Sequence, residues 1–132
     1  IVFYINIDDF SGFNDFYGKT ISDNTLIRLS KIINSLKNEK KFTLYKLEAD
    51  QFILLFEEGY ISKDNLQFFF EELIEEIEMK MSSSELGNKN RISISITGGG
   101  ATYYSSDDYD KLLLYSNIAR KKAQLEHSKF LI

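Results

Sequence analysis

Two strand-like runs, Phe42 to Leu47 and Phe52 to Phe56, are separated by only Glu48-Ala49-Asp50-Gln51. So short and polar a connection makes the two runs a β-hairpin, with these four residues at its tip. Each side of the hairpin carries one amphipathic segment. Upstream, a helix beginning near Ser22 or Asp23 places Leu26, Leu29, Ile33 and Leu36 on one face and ends in Lys37-Asn38-Glu39-Lys40-Lys41. Downstream, Ser62 is placed to cap a helix that turns Leu66, Phe69/Phe70, Leu73 and Ile77 inward. Its outer face, with Glu71, Glu72, Glu75, Glu76 and Glu78, reads as a solvated surface.

Outside this unit, Ile1, Phe3, Ile5 and Ile7 alternate with Val2, Tyr4, Asn6 and Asp8, and Ile92, Ile94 and Ile96 alternate with Ser93, Ser95 and Thr97. Both are period-2 strand patterns. The spacing of Phe10, Phe13 and Phe16/Tyr17 predicts a short helix closed by Gly18. Met81 to Asn90 reads as a loop, and Gly98-Gly99-Gly100 as a strand end or bulge, since no Lys-Ser/Thr follows it to make a phosphate loop. A last helix starts at Ser105 or Ser106 and carries Leu112, Ala119 and Ala123 on one side, and Lys129 to Ile132 supplies an edge strand. The order β-α-α-β-β-α-β-α-β predicts an α/β (α+β) sandwich of ferredoxin-like type in a single domain, 1–132. Opening on Ile1 within a strand pattern, the chain reads as a domain excised from a longer polypeptide, with no signal peptide.

Composition removes whole classes of chemistry. The chain has no cysteine and one histidine, His127, which reads as a surface residue; thiolate catalysis and Cys- or His-rich metal sites are excluded. A net charge of −4 argues against nucleic acid as a partner, and no apolar run is long enough to span a bilayer.

Asn6-Ile7-Asp8-Asp9-Phe10, followed by Phe13-Asn14-Asp15 and Tyr17-Gly18, resembles the opening of the GGDEF domains, the diguanylate cyclases that join two GTP molecules into cyclic di-GMP. The resemblance runs across essentially the whole chain. Lys46-Leu47-Glu48-Ala49-Asp50-Gln51-Phe52 falls where the Gly-Gly-Asp-Glu-Phe hairpin belongs, and Ile94-Ser95-Ile96 matches the fourth strand. Ser116-Asn117-Ile118-Ala119 and Ala123 match a last helix that usually reads Ala-Asp-x-Ala-Leu-Tyr-x-Ala-Lys. The resemblance implies a metal site at Asn6, the Ile7 backbone and Asp50, holding Mg²⁺ against a triphosphate while a 3′-hydroxyl attacks the α-phosphorus. It also implies guanine recognition by Asn14 and Asp23. Read without it, Asn14 ends the short helix and Asp23 caps the next.

The sequence departs from the family pattern at the metal, hairpin and phosphate positions and at the inhibitory site. The first metal-binding Asp is Asn6, and the register set by Phe10 and Asn14 keeps Asp8 out of that slot. The degenerate signature Glu48-Ala49-Asp50-Gln51-Phe52 lacks both glycines and the second acid. The phosphate-facing Lys and Arg of the last helix fall on Gln124 and Ser128, and the inhibitory Arg-x-x-Asp site falls on Glu39-Lys40-Lys41-Phe42. The expectation is therefore a non-catalytic, guanine-nucleotide-binding regulatory module, taking GTP or GDP, with Mg²⁺ weak and not required. It would act in the cytoplasm without membrane contact, in cis on a neighbouring EAL phosphodiesterase or sensor domain. The alternatives are a weak cyclase working as a homodimer, and a ligand-free dimerisation or spacer domain.

Overall fold

The computed structural model describes residues 1–57, 59–82, 93–102, 109–126 and 130–131. Strand β1 (Val2–Ile7) leads into α1 (Phe10–Tyr17) and α2 (Lys19–Lys40); β2 (Phe42–Lys46) and β3 (Phe52–Phe56) form the hairpin. A 3₁₀ turn (Lys63–Asn65) precedes α3 (Leu66–Ser82), followed by β4 (Ile96–Ala101), α4 (Tyr109–Leu125) and β5 (Phe130–Leu131). The sheet runs β2-β3-β1-β4-β5; the first four strands pair antiparallel, and β5 adds parallel to β4. This is the expected α+β sandwich. Among the described residues, no helix is long and apolar enough to cross a membrane.

Alternation on β1 divides the molecule into two cores. Phe3, Ile5 and Ile7 join Phe52, Leu54 and Phe56 against α2 (Leu29, Ile33, Leu36) and α3 (Phe70, Leu73, Ile74, Ile77). Val2 and Tyr4 face the other way and pack with Ile53, Ala101 and Leu112 under α4. The second core is smaller, and its face carries the polar end of β1.

Several boundaries differ from the sequence reading. The Gly98-Gly99-Gly100 run is neither a strand end nor a bulge: it pairs in register with Ile5, Tyr4 and Phe3 in the middle of β4. A methyl at Gly98 would lie 2.5 Å from Phe3 Cε2, and one at Gly99 would overlap Arg120 N and Ser116 O. Glycine here is a packing requirement on both faces of one strand. β4 starts at Ile96, later than the alternation suggests; Ser95 instead contributes its carbonyl to the Asp8 N–H (2.8 Å). Glu78 belongs to more than a solvated face, because its Oε2 accepts the Ile96 N–H (2.8 Å) at the start of β4. The short helix expected from the Phe10, Phe13 and Phe16/Tyr17 spacing forms as α1, although it is only two turns long, buries no residue and leaves Phe16 81% exposed. Met81 and Ser82 still belong to α3, and the rest of the expected loop lies outside the described residues, as do His127 and Ser128.

Candidate functional site

The polar end of β1 and the hairpin tip meet at one end of the sheet, and α1 leads from there to its elbow with α2. Asp9 stops β1 by adopting a left-handed conformation (φ +48°), which Asp tolerates, and its side chain caps α1 by accepting the Gly12 N–H (3.3 Å). Gly18 closes α1 by donating to the Asn14 carbonyl (2.9 Å) and, with φ +85°, turns the chain directly into α2.

Asn14 and Asp23 flank this elbow, and both are exposed. Neither of the bland roles falls to their side chains. α1 continues three residues past Asn14, and α2 starts at Lys19 with no side-chain cap, so Asp23 sits inside the helix. Neither side chain has a hydrogen-bond partner among the described residues.

At the hairpin tip, Gln51 N–H donates to the Glu48 carbonyl and Leu47 N–H to the Gln51 carbonyl, both at 2.9 Å. Ala49 takes φ +49°, the left-handed region where glycine is at home; Glu48 does not. Only one of the two glycine replacements therefore strains the backbone. Phe52 is fully buried and anchors the base of the turn.

The turn carries Asp50 back to β1, where its Oδ2 accepts the Ile7 N–H at 3.1 Å, one residue from Asn6. The structure thus brings Asn6, Ile7 and Asp50 together. Burial pushes the Asp50 carboxyl upward, and the nearby Asp8 charge adds to this; the N–H groups of Asp50 itself and Ile7, together with Arg120, pull it back only in part. Asn6 Oδ1 is buried without a hydrogen-bond partner. Asp8 points the same way along β1 but is fully engaged, accepting from Ser95 Oγ (2.7 Å) and Thr97 Oγ1 (2.6 Å). These bonds, beyond register alone, hold Asp8 to β4.

Sequence reasoning missed Arg120. It is 6% exposed on α4, and its guanidinium lies 5.0 Å from the Tyr4 ring centroid. Its Nε and Nη2 donate to Asn117 Oδ1 at 3.0 and 2.7 Å. The signal was present: position 120 is four residues after Ser116 and three before Ala123, both fully buried, and it holds the place of the leucine in the last-helix pattern. Gln124 is exposed near the end of α4.

The family model described as "Diguanylate cyclase, GGDEF domain" matches residues 1–129. The chain belongs to the GGDEF family. A search of curated proteins found no match. Solved GGDEF structures share the fold at low identity. The active GGEEF domain of a diguanylate cyclase from Vibrio cholerae is 19% identical over 98% of this chain and 79% of that one, with a TM-score of 0.73. The GGDEF domain of DgcB from Caulobacter crescentus, in complex with c-di-GMP, is 16% identical over 98% and 74%, with a TM-score of 0.79. An EAL/GGDEF domain protein from M. capsulatus is 19% identical over 98% and 82%, with a TM-score of 0.71. Glu48-Ala49-Asp50-Gln51-Phe52, which the sequence resemblance sets against the family signature, lies at the hairpin tip.

By atom type, the Asn6 amide oxygen, the Ile7 carbonyl and the Asp50 carboxylate suit Mg²⁺, a hard cation that takes oxygen ligands. By charge they do not. They bring one carboxylate, with one oxygen already engaged by the Ile7 N–H. Among the described residues no group of three His, Cys, Asp or Glu is placed to hold a metal.

Proposed function

We propose that this GGDEF domain is a degenerate, non-catalytic module of cyclic di-GMP signalling that binds a guanine nucleotide and regulates a neighbouring domain. The observation that carries the reading is the contrast between two ends of one site. Asn14 and Asp23 stand exposed and unengaged beside the Gly18 elbow, free to meet the edge of a guanine base with amide and carboxylate groups. At the phosphate end, Asn6 and Gln51 are neutral, Glu48 adds a negative charge, and Gln124 offers no cation. Stabilising a reacting triphosphate needs preorganised positive charge aimed at it. Base recognition needs none of this, so it survives the loss.

Calorimetry tests the reading. GTP and GDP are expected to bind with similar affinity and ATP more weakly by roughly 1–3 kcal/mol, since adenine reverses the donor and acceptor at its six-position. Asn14→Ala with Asp23→Ala is expected to abolish the preference. Equal binding of ATP and GTP would favour a ligand-free spacer. Coupling to a neighbour is supported by relatives that carry a second domain, such as the EAL/GGDEF protein from M. capsulatus. Deleting this module from its parent protein is expected to change the neighbour's rate or its response to GTP.

A weak cyclase remains the second reading, favoured by one feature: Asp50 still reaches the end of β1 and bonds the Ile7 N–H.

A further inference from the structure

We propose that the α4 face of the sheet is an interface between two copies of this chain, each docking its α4 into an open groove over the other's hairpin. On the opposite face two helices, α2 and α3, cover the sheet. On this face, among the described residues, α4 is the only helix, and it rests on β4, β1 and β5. The hairpin strands are left as an open strip with a groove of about 350 Å³, lined by Val2, Tyr45, Leu47, Ile53, Leu55 and Leu113. Every side chain of that lining is aliphatic or aromatic, and Tyr45 and Leu47 are 52% and 41% exposed. A contiguous apolar surface of this kind marks an interaction site rather than ordinary scatter. Two neighbouring strands span about 10 Å, the width of one helix. The vacancy is one helix wide.

The chain itself carries the matching element. The inner side of α4, with Leu112, Ser116, Ala119 and Ala123, is buried, while the opposite side exposes Leu114, Ile118 and Leu125 by 54%, 53% and 82%. Their spacing puts all three in one stripe along the helix. At about 1.5 Å per residue the stripe is about 16 Å long, and the five residues of β2, at about 3.3 Å each, are equally long. A two-fold axis parallel to the strands, beside Leu113, carries α4 of one copy over β2 and β3 of the other and keeps its direction. Each copy gives a helix and receives one, so the contact closes at a dimer, with two helices between two sheets. Charge agrees with that direction. α4 starts beside Ala101 and Val2 at Leu112 and passes Gly99 at Arg120, so Lys121 and Lys122 finish toward the end of the sheet where the hairpin tip stands. There they meet the other copy's Glu48, exposed at the tip. Asp23 lies on α2, across the sheet, so the inference stands apart from nucleotide binding.

Sedimentation velocity over a range of concentrations tests it on the folded chain. Wild type is expected to pass from monomer to dimer in the micromolar range and to grow no further. Ile118→Glu, which puts a carboxylate on the stripe, is expected to abolish the dimer, and Tyr45→Glu in the groove to do the same. Phe68→Glu, on α3 at a position already 67% exposed, is expected to leave it intact. Glu48→Lys is expected to weaken the dimer roughly two- to fivefold by setting like charges together. A wild-type chain still monomeric at millimolar concentration would overturn the proposal and leave the groove to a helix of another protein. A dimer that survives Ile118→Glu, that Phe68→Glu abolishes or that Glu48→Lys tightens would also overturn it, as would growth into longer oligomers. Should Tyr45→Glu fail to fold, Leu47→Glu replaces it, and Ile118→Glu, at an exposed helical position, still decides.

Discussion

Gly99→Ala is expected to destabilise this domain more than Gly98→Ala, where the added methyl meets only side-chain atoms. The added carbon would overlap Arg120 N and Ser116 O and lie 2.7 Å from Arg120 Cα. All three are backbone atoms, so no side-chain rotation relieves the overlap and α4 must lift from the sheet. Overpacking of this kind costs about 1–3 kcal/mol, and overlap with three backbone atoms of a single helix places this case at about 3. An unfolding entropy of about 2.1 cal/mol/K per residue, taken over 132 residues, makes each kcal/mol worth about 3.6 °C in melting temperature. The variant should therefore melt about 10 °C below wild type by calorimetry or circular dichroism. The control is Gly59→Ala, where φ is +79° but nothing lies within 4 Å of the added carbon; only backbone strain of about 1 kcal/mol is expected there. If Gly99→Ala melts within 2 °C of wild type, roughly 0.5 kcal/mol on this scale, α4 does not rest on β4 as described.

Ala49→Gly should stabilise the chain by up to about 1 kcal/mol in urea denaturation, because relief of the left-handed strain exceeds glycine's extra unfolded-state freedom; a loss of stability would refute that turn geometry. Asp50 has its pKa raised by burial above the ordinary 3.8, so the folded state holds a proton more tightly than the unfolded state. The stability from that proton is complete below about pH 3.8 and is lost as pH rises through the folded value. Asp50→Asn, which can still accept the Ile7 N–H, should therefore gain on wild type as pH rises toward neutrality; a melting-temperature difference that is flat with pH would contradict this. Chromatography after incubation with GTP and Mg²⁺ should show no cyclic di-GMP above an Asp50→Ala control, and Asn6→Asp alone should not restore it; recovery by that one change would show that the other departures were overrated.

Much of the architecture was legible because apolar periodicity is a local signal. Leu26, Leu29, Ile33 and Leu36 were placed inward by spacing alone and are all buried. The hairpin was legible because so few residues leave the chain no other route. β4 was misplaced because Gly98 to Gly100 have no side chains and are silent to any pattern; their role appears only when α4 and Phe3 arrive on opposite faces. Arg120 escaped for the converse reason: an arginine on a helix reads as solvent-facing, and only its neighbours Ser116 and Ala123 show which face it shares. The gathering of Asn6, Ile7 and Asp50 was readable only through family resemblance, since the Ile7–Asp50 bond spans 43 residues.

The turn at Ala49 also bears on history. Its backbone holds a shape suited to glycine although alanine stands there, so the turn keeps its conformation without the residue that adopts it most easily. A return to glycine at this position requires no movement of the chain, whereas a return to leucine at position 120 would require the buried guanidinium to be given up together with its ring and amide partners. Substitutions away from the family pattern are thus not equally reversible. Position 49 can take glycine in one step, whereas α4 is held in place by Arg120 and its partners.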